Sequence, residues 1–251
     1  MEQLNFQSME IPKNVRILIY GRPGTGKTTF ISTCPKPVLL LDIGERGALS
    51  IKDTEQLFYL SVNSWSEFLK TLDQIKTQIV AAGIMTIGID TISSLQEMIV
   101  NSIIGPRKYD EFKPLVQKQW AEVNARLKFA ISQILELPVN IVFTAQERRL
   151  DTGNEEVIDS ELIPEVGPAL IPSVAKYLGA VVDVIGNSFI QGKLVSEIKD
   201  NTLQSHWIIN YCLRIGAHPI YWAKIRTNKT LRTDEGIITN PSFDLISKIL
   251  F

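Results

Sequence analysis

Eight consecutive residues, Gly21-Arg22-Pro23-Gly24-Thr25-Gly26-Lys27-Thr28, have the types and spacing needed to hold the phosphates of a nucleotide. Glycines at 21, 24 and 26 let the backbone curl, so that successive N–H groups face an anion with no side chain between. A helix that starts at the end of such a loop adds the positive end of its dipole. Lys27 then reaches the β- and γ-phosphates, and the Thr28 hydroxyl binds Mg²⁺. Thr29 extends the same binding surface. The motif lies between an apolar strand pattern at 15–20 and a helix pattern at 26–32, which is the context it requires.

A loop of this kind needs an acid on a neighbouring strand to hold the metal's water shell. Asp90 closes the apolar run at 85–89, which places it at the carboxyl edge beside the loop. It could also cap the helix pattern that starts at 92. Residue 91 is Thr, so the pairing of a metal acid with a directly following general base is missing. The base must come from elsewhere. Glu45, after the buried run at 37–41, is the candidate for polarising an attacking water, with Asp42 as its rival. Gln146, at the end of a further strand, can hydrogen-bond the γ-phosphate or that water.

The C-terminal part carries a different signal. Residues 201–233 contain no acid, yet Arg214, Lys224, Arg226, Lys229 and Arg232 are there. On a strand, Lys224 and Arg226 project from one face. Two adjacent cations repel unless an anion lies between them. A phosphate on a neighbouring subunit is one candidate, since an arginine supplied in trans stabilises phosphoryl-transfer charge. A solvated strand face with acids elsewhere is the other.

The elements that must position these groups follow from hydrophobic periodicity. Strand patterns occupy 15–20, 37–41, 57–62, 85–90 and 139–144, and helix patterns 26–32, 64–82, 92–104, 115–137 and 170–178. Ser64 and Glu67 have capping-box spacing. Further strands are predicted at 180–185, 207–215 and 220–227, and a polar loop or hairpin at 147–161. Strands alternating with helices predict an α/β fold with a mostly parallel central sheet flanked by helices, followed by C-terminal β strands. Residues 1–9 read as a tail or tag remnant, and 10–251 as a single domain.

Composition narrows the classes. The 251 residues are 45% hydrophobic and 21% charged, which excludes wholesale disorder. No apolar run approaches the roughly 18 residues that span a bilayer, and no leader pattern precedes the first strand, so a cytoplasmic setting is expected. Cys34 and Cys212 cannot form a disulfide scaffold, and with His206 and His218 the only histidines, an all-protein metal cage is not expected. The net charge of −1 argues against coating nucleic acid by bulk electrostatics, though not against a local patch.

Together, the 21–28 loop, Leu41-Asp42-Ile43-Gly44-Glu45, Gly88-Ile89-Asp90-Thr91-Ile92-Ser93-Ser94 and Thr144-Ala145-Gln146 resemble the RecA-like branch of P-loop ATPases. The chain is especially similar to phage nucleotide-binding proteins of AAA type that act in single-strand annealing recombination. Lys224-Ile225-Arg226 resembles the Lys-x-Arg finger that RecA-like hexameric motors insert into the next subunit's site. The resemblance implies a RecA-like P-loop NTPase domain that binds ATP with Mg²⁺ and hydrolyses it. It also implies a homo-oligomer, ring or filament, with nucleotide at subunit interfaces, acting on single-stranded DNA in the host cytoplasm. DNA-contacting loops are implied at 107–113, which mixes cations with aromatics, and after Gln146, where acids follow Arg148 and Arg149 and repel phosphate. RecA-like proteins usually place the catalytic Glu two positions after the strand-end Asp. Here that position is Gly44 and Glu45 is one residue late. A nucleotide-gated binding module with little turnover therefore stays open, as does a small-molecule phosphotransferase.

Overall fold

In the computed structural model of the chain, residues 14–105, 114–150, 164–199, 202–229, 231 and 236–251 are described. The tail at 1–9, the expected DNA loop at 107–113 and the acidic run at 151–161 lie outside the described residues.

Ten strands form the sheet. Eight run in the order β10-β8-β7-β1-β5-β4-β2-β3, with β6 paired to β5 and β9 to β7. They are β1 (Arg16–Gly21), β2 (Val38–Asp42), β3 (Leu57–Ser61), β4 (Thr86–Asp90), β5 (Asn140–Arg149), β6 (Val166–Pro168), β7 (Val184–Lys199), β8 (Thr202–Arg214), β9 (Lys224–Ile225) and β10 (Ile237–Thr239). The six strands from β7 to β3 are parallel. Strands β8 and β10 continue the sheet antiparallel at the β7 edge. This is the expected α/β architecture.

The parallel strands read as continuous apolar runs because both faces are covered. Ile17 and Ile19 point to one face, where they pack with Phe30 and Ile31 of α1 (Lys27–Ser32) and Ile246 of α6 (Phe243–Leu250). Leu18 and Tyr20 point to the other face, covered by α2 (Trp65–Gln78), α3 (Ile92–Ile104), α4 (Gln117–Leu135) and α5 (Pro172–Val181). Ser64 caps α2 as its spacing predicts, its Oγ accepting the Glu67 N–H at 3.2 Å. No helix among the described residues is long and apolar enough to cross a membrane.

Three expectations are corrected. The apolar run at 180–185 is not one strand: Pro172 opens α5, which buries Val174, Ala175 and Leu178 at helical spacing and takes in Ala180 and Val181. The segment at 220–227 pairs only at Lys224 and Ile225. The loop expected from 147 starts later, because Glu147, Arg148 and Arg149 continue β5 against β6.

At the amino-terminal edge, buried Asn140 joins three strands. Its Oδ1 accepts the Val15 N–H at 2.9 Å, and its Nδ2 donates to the Met85 carbonyl at 3.0 Å. In Asn140→Ala the buried Val15 N–H loses its partner, which is expected to cost about 1–3 kcal/mol. The midpoint of urea unfolding measures this, with the m-value unchanged.

Candidate functional site

Parallel register brings five strands together at one edge of the parallel sheet. Gly21 lies opposite Gln146 on β5 and Ser188 on β7, and Asp90 lies opposite Asp42 on β2. The loop after Gly21 rises over this edge. Gly24 and Gly26 hold φ of 78° and 89°, a left-handed conformation that favours glycine. At Gly21 a side chain would run into the Ser188 carbonyl. The Ser188 hydroxyl donates to the Thr25 carbonyl at 2.6 Å and so ties β7 to the loop.

Pro23, Gly24, Gly26, Lys27, Thr28 and Thr29 line a cavity of about 420 Å³, faced by Glu45, Asp90, Gln146 and Tyr211. Gly21, Arg22 and Thr25 shape the loop from behind. The Lys27 ammonium donates to the Gly21 and Arg22 carbonyls, both at 2.9 Å, and Thr25 Oγ1 donates to Arg22 at 2.9 Å. Burial lowers the pKa of Lys27, opposed by the charges of Glu45, Asp90 and Glu147.

Asp90 is 2% exposed. Thr28 Oγ1 donates to its Oδ2 at 2.7 Å, and Thr144 Oγ1 to its Oδ1 at 2.5 Å. Burial raises its pKa, the two hydroxyls pull it down, and Glu45 and Asp42 push it up again. Asp90 does not cap α3; the Thr91 hydroxyl does, accepting the Ser94 N–H at 3.1 Å. The carboxylate is thus free of the competing role its sequence position allowed.

Glu45 and Asp42 are placed differently. Asp42 is buried and does not line the cavity; its Oδ1 accepts the N–H groups of Glu45 and Arg46 at 3.2 and 3.1 Å, and its Oδ2 accepts from the Tyr59 hydroxyl at 3.1 Å. Glu45 turns into the cavity. Its Oε1 accepts from Thr91 and Ser94 at 2.9 and 2.7 Å, and its Oε2 accepts from Gln146 Nε2 at 2.8 Å.

Lys224 and Arg226 sit elsewhere. Lys224 is opposite Ile185 on β7, toward the amino-terminal edge, and neither residue lines the cavity of its own chain. Lys224 donates to the Gly179 and Val182 carbonyls at 2.6 and 2.9 Å. Arg226 donates to the Ala180 carbonyl and pairs with Asp183 at 3.3 Å. The negative charge between the two cations is therefore the C-terminal end of α5 together with Asp183. The charge argument for a neighbour's phosphate is answered within the chain.

Three further residues shape the site without having been singled out from sequence. Thr144 is two residues before Gln146 and hence on the same face of β5, a spacing that could have flagged it. Ser188 and Tyr211 come from strands remote in sequence, and nothing local marked them. Gly47 is a fourth contributor: a Cβ there would fill the space against Asp90 Oδ2 and lie 3.0 Å from Thr28 Oγ1. A buried carboxylate, a hydroxyl and a wall kept bare of side chain suit a small hydrated cation. Thr28 and Asp90 are the residues that would hold Mg²⁺.

A protein-family profile described as an AAA domain matches residues 13–227. Among solved structures, the chain is similar to a KaiC-like protein from the hyperthermophilic archaeon Pyrococcus horikoshii OT3, with 13% identity and a TM-score of 0.37 over 90% of this chain and 89% of that one. No curated protein matches the sequence.

The Asp90 carboxyl is raised above its ordinary 3.8, so the folded chain holds that proton more tightly than the unfolded chain. Its contribution to stability is favourable in acid and is lost as pH rises through the folded value. Asp90→Asn is expected to shift the Tm of the nucleotide-free protein more favourably at pH 7 than near pH 4. Thermal melts at the two pH values check this. Separately, Arg226→Ala removes a cation from the end of α5 and is expected to cost about 0.3–1 kcal/mol, read from the same melts at pH 7.

Proposed function

The chain belongs to the AAA domain family, and from that premise we propose that it is an ATPase that binds ATP with Mg²⁺ at the 21–29 loop. One observation carries the reading: Lys27, Thr28, Asp90, Glu45 and Gln146, which come from four separate stretches of sequence, face one cavity. Backbone N–H groups of the loop take the phosphates, and Lys27 exchanges the Gly21 and Arg22 carbonyls for phosphate oxygens. Thr28 and Asp90 would hold Mg²⁺, which when bound would supply positive charge to the β- and γ-phosphates. The Thr28 hydroxyl, now bonded to Asp90, is the group that would face the metal. Tyr211 offers a flat apolar ring at the cavity wall for the nucleoside.

Glu45 is the proposed general base. Of the two rival acids after β2, Glu45 is the one whose carboxylate lines the cavity, while that of Asp42 caps the turn. Asp42 acts through it, by fixing the turn that carries it. Gln146, bonded to Glu45 and placed opposite Gly21, is positioned to register an occupied γ-phosphate site and pass that state to β5. The resemblance to recombination ATPases extends the proposal to a homo-oligomer acting on single-stranded DNA. In that assembly Lys224 and Arg226 could serve a neighbour's nucleotide only by leaving the end of α5.

A second reading, a nucleotide-gated binding module with little turnover, is favoured by one feature. Both Glu45 oxygens are already engaged by Thr91, Ser94 and Gln146, which is a resting arrangement for a base. Turnover decides between the two readings. The ATPase reading expects Lys27→Ala to abolish ATP binding. It expects Glu45→Gln to bind ATP within a few-fold of wild type while kcat falls by about 10²-fold or more. Wild-type turnover no greater than that of Glu45→Gln selects the gated module. Turnover that stays flat across a single-stranded DNA titration at low salt removes the DNA part of the proposal. An unchanged kcat for Arg226→Ala in the assembled protein removes the trans role of that residue.

A further inference from the structure

Strands β7 and β8 run on past the sheet that supports them. Pairing of β7 with β1 ends at Ser188, and β8 meets β10 only at Cys212–Arg214, yet β7 and β8 stay paired out to Lys199 and Thr202. Outward of Ile190 and Tyr211 the hairpin is a two-stranded arm. Ile190 lies opposite Tyr211, Gly192 opposite Ile209, and Leu194 opposite Trp207. Residues directly opposite, or two apart along a strand, share a face.

One face of the arm is therefore an uninterrupted apolar stripe. Ile190, Leu194, Trp207, Ile209 and Tyr211 are 46%, 53%, 65%, 59% and 44% exposed. Trp207 lies across Gly192, where a Cβ would come within 3.1 Å of its ring. The opposite face carries Gln191, Lys193, His206 and Asn210 beside Ile208. Among the described residues nothing covers this face of the two-stranded ribbon. The stripe exposes about 500 Å², at the upper end of the largest patch found on monomers. That is over half of the ~800 Å² each partner contributes to a standard interface.

The far edge of the same sheet offers the counterpart. Among the described residues strand β3 is an unpaired edge, with Phe58 and Leu60 54% and 42% exposed. With Leu39, Ile75, Ile79 and Ile84 they line a groove of about 400 Å³ in which no charged side chain takes part. An apolar ridge at one edge and an apolar groove at the other are complementary in character, and both lack charge, as the buried centre of a protein interface does. The stripe carries no cation, so it offers a nucleic-acid backbone nothing to neutralise its phosphates.

We propose that the arm of one chain seats its Ile190–Trp207–Ile209 stripe in the β3–α2 groove of a second copy of this chain. Each chain then has one ridge and one groove, and the contact is head-to-tail, which propagates into a ring or an open filament. Tyr211, the innermost member of the stripe, also borders the nucleotide cavity, so the contact and the bound nucleotide share a wall. The inference rests on the assembly part of the function proposed above and names its surface.

Sedimentation velocity on the full chain with Mg²⁺ and a non-hydrolysable ATP analogue tests it, beside binding of a fluorescent ATP analogue. Wild type is expected to form species larger than a dimer. Ile209→Lys and Phe58→Lys are each expected to stay monomeric while binding nucleotide within two-fold of wild type. Mixed at equal concentrations they should stop at a species of twice the monomer mass, because one intact arm meets one intact groove. Trp207→Lys and Leu60→Lys form a second pair with the same expected outcomes. If either partner of a pair assembles as wild type does, or the mixture stays monomeric, the proposal is overturned while oligomerisation by another surface stands. A wild type that binds nucleotide and stays monomeric overturns both the surface and the assembly, and leaves the ATP site intact. A wild type that binds no nucleotide defeats the ATP reading itself.

Discussion

A buried carboxylate held between two hydroxyl donors sets the terms for the rest of the molecule. Asp90 accepts hydroxyls from α1 and from β5, so one acid holds the phosphate loop, its own strand and the neighbouring strand in a fixed relation. Two neutral donors compensate only part of what a charge loses on leaving water, which is why burial still dominates its proton affinity. A cation held at the Thr28 hydroxyl would supply the charge that these donors lack. A buried acid keeps such partners only where the surroundings fix them in place. Here the surroundings are a sheet packed on both faces, with Gly88 leaving room for Ile31 of α1 to lie close against β4.

Much of this was legible in the sequence, because the site is built from strand ends. A continuous apolar run announces a strand of a doubly covered sheet, and the polar residue that stops it must stand at the carboxyl edge. That logic found Asp90, Asp42 and Gln146, and the loop motif supplied Lys27 and Thr28. It also placed Glu45 near the others, although periodicity could not say which of the two acids would turn inward. Hydrogen bonds decide that choice: Asp42 is consumed by capping a turn and Glu45 is not.

What stayed hidden depends on contacts between distant segments. Tyr211 and Ser188 reach the loop only because β7 pairs with β1 and carries β8 beside it. Lys224 and Arg226 read as an unpaired cationic patch because a helix end has no formal charge to count. The carbonyls of Gly179, Ala180 and Val182 supply the missing anion, but only once 180–181 is recognised as helix and not strand. The short β9 and the apolar arm share this origin. Both are defined by which strand lies alongside, a long-range fact that local pattern does not encode.

The position of Glu45, one residue later than in the proteins the loop resembles, also has a local cause. Gly44 holds φ at 80°, a left-handed conformation that a glutamate at that position would adopt only at a cost. The turn it makes folds the backbone back onto Asp42, whose Oδ1 takes the N–H groups of Glu45 and Arg46 together. The extra residue is thus absorbed by the turn, and the carboxylate one step along is delivered to the same cavity as Lys27 and Asp90. Tyr59 donates to the other oxygen of Asp42 from β3, the strand whose outer edge forms the apolar groove. Tyr59 also lines that groove, so the groove and the turn carrying Glu45 are two hydrogen bonds apart, through Asp42.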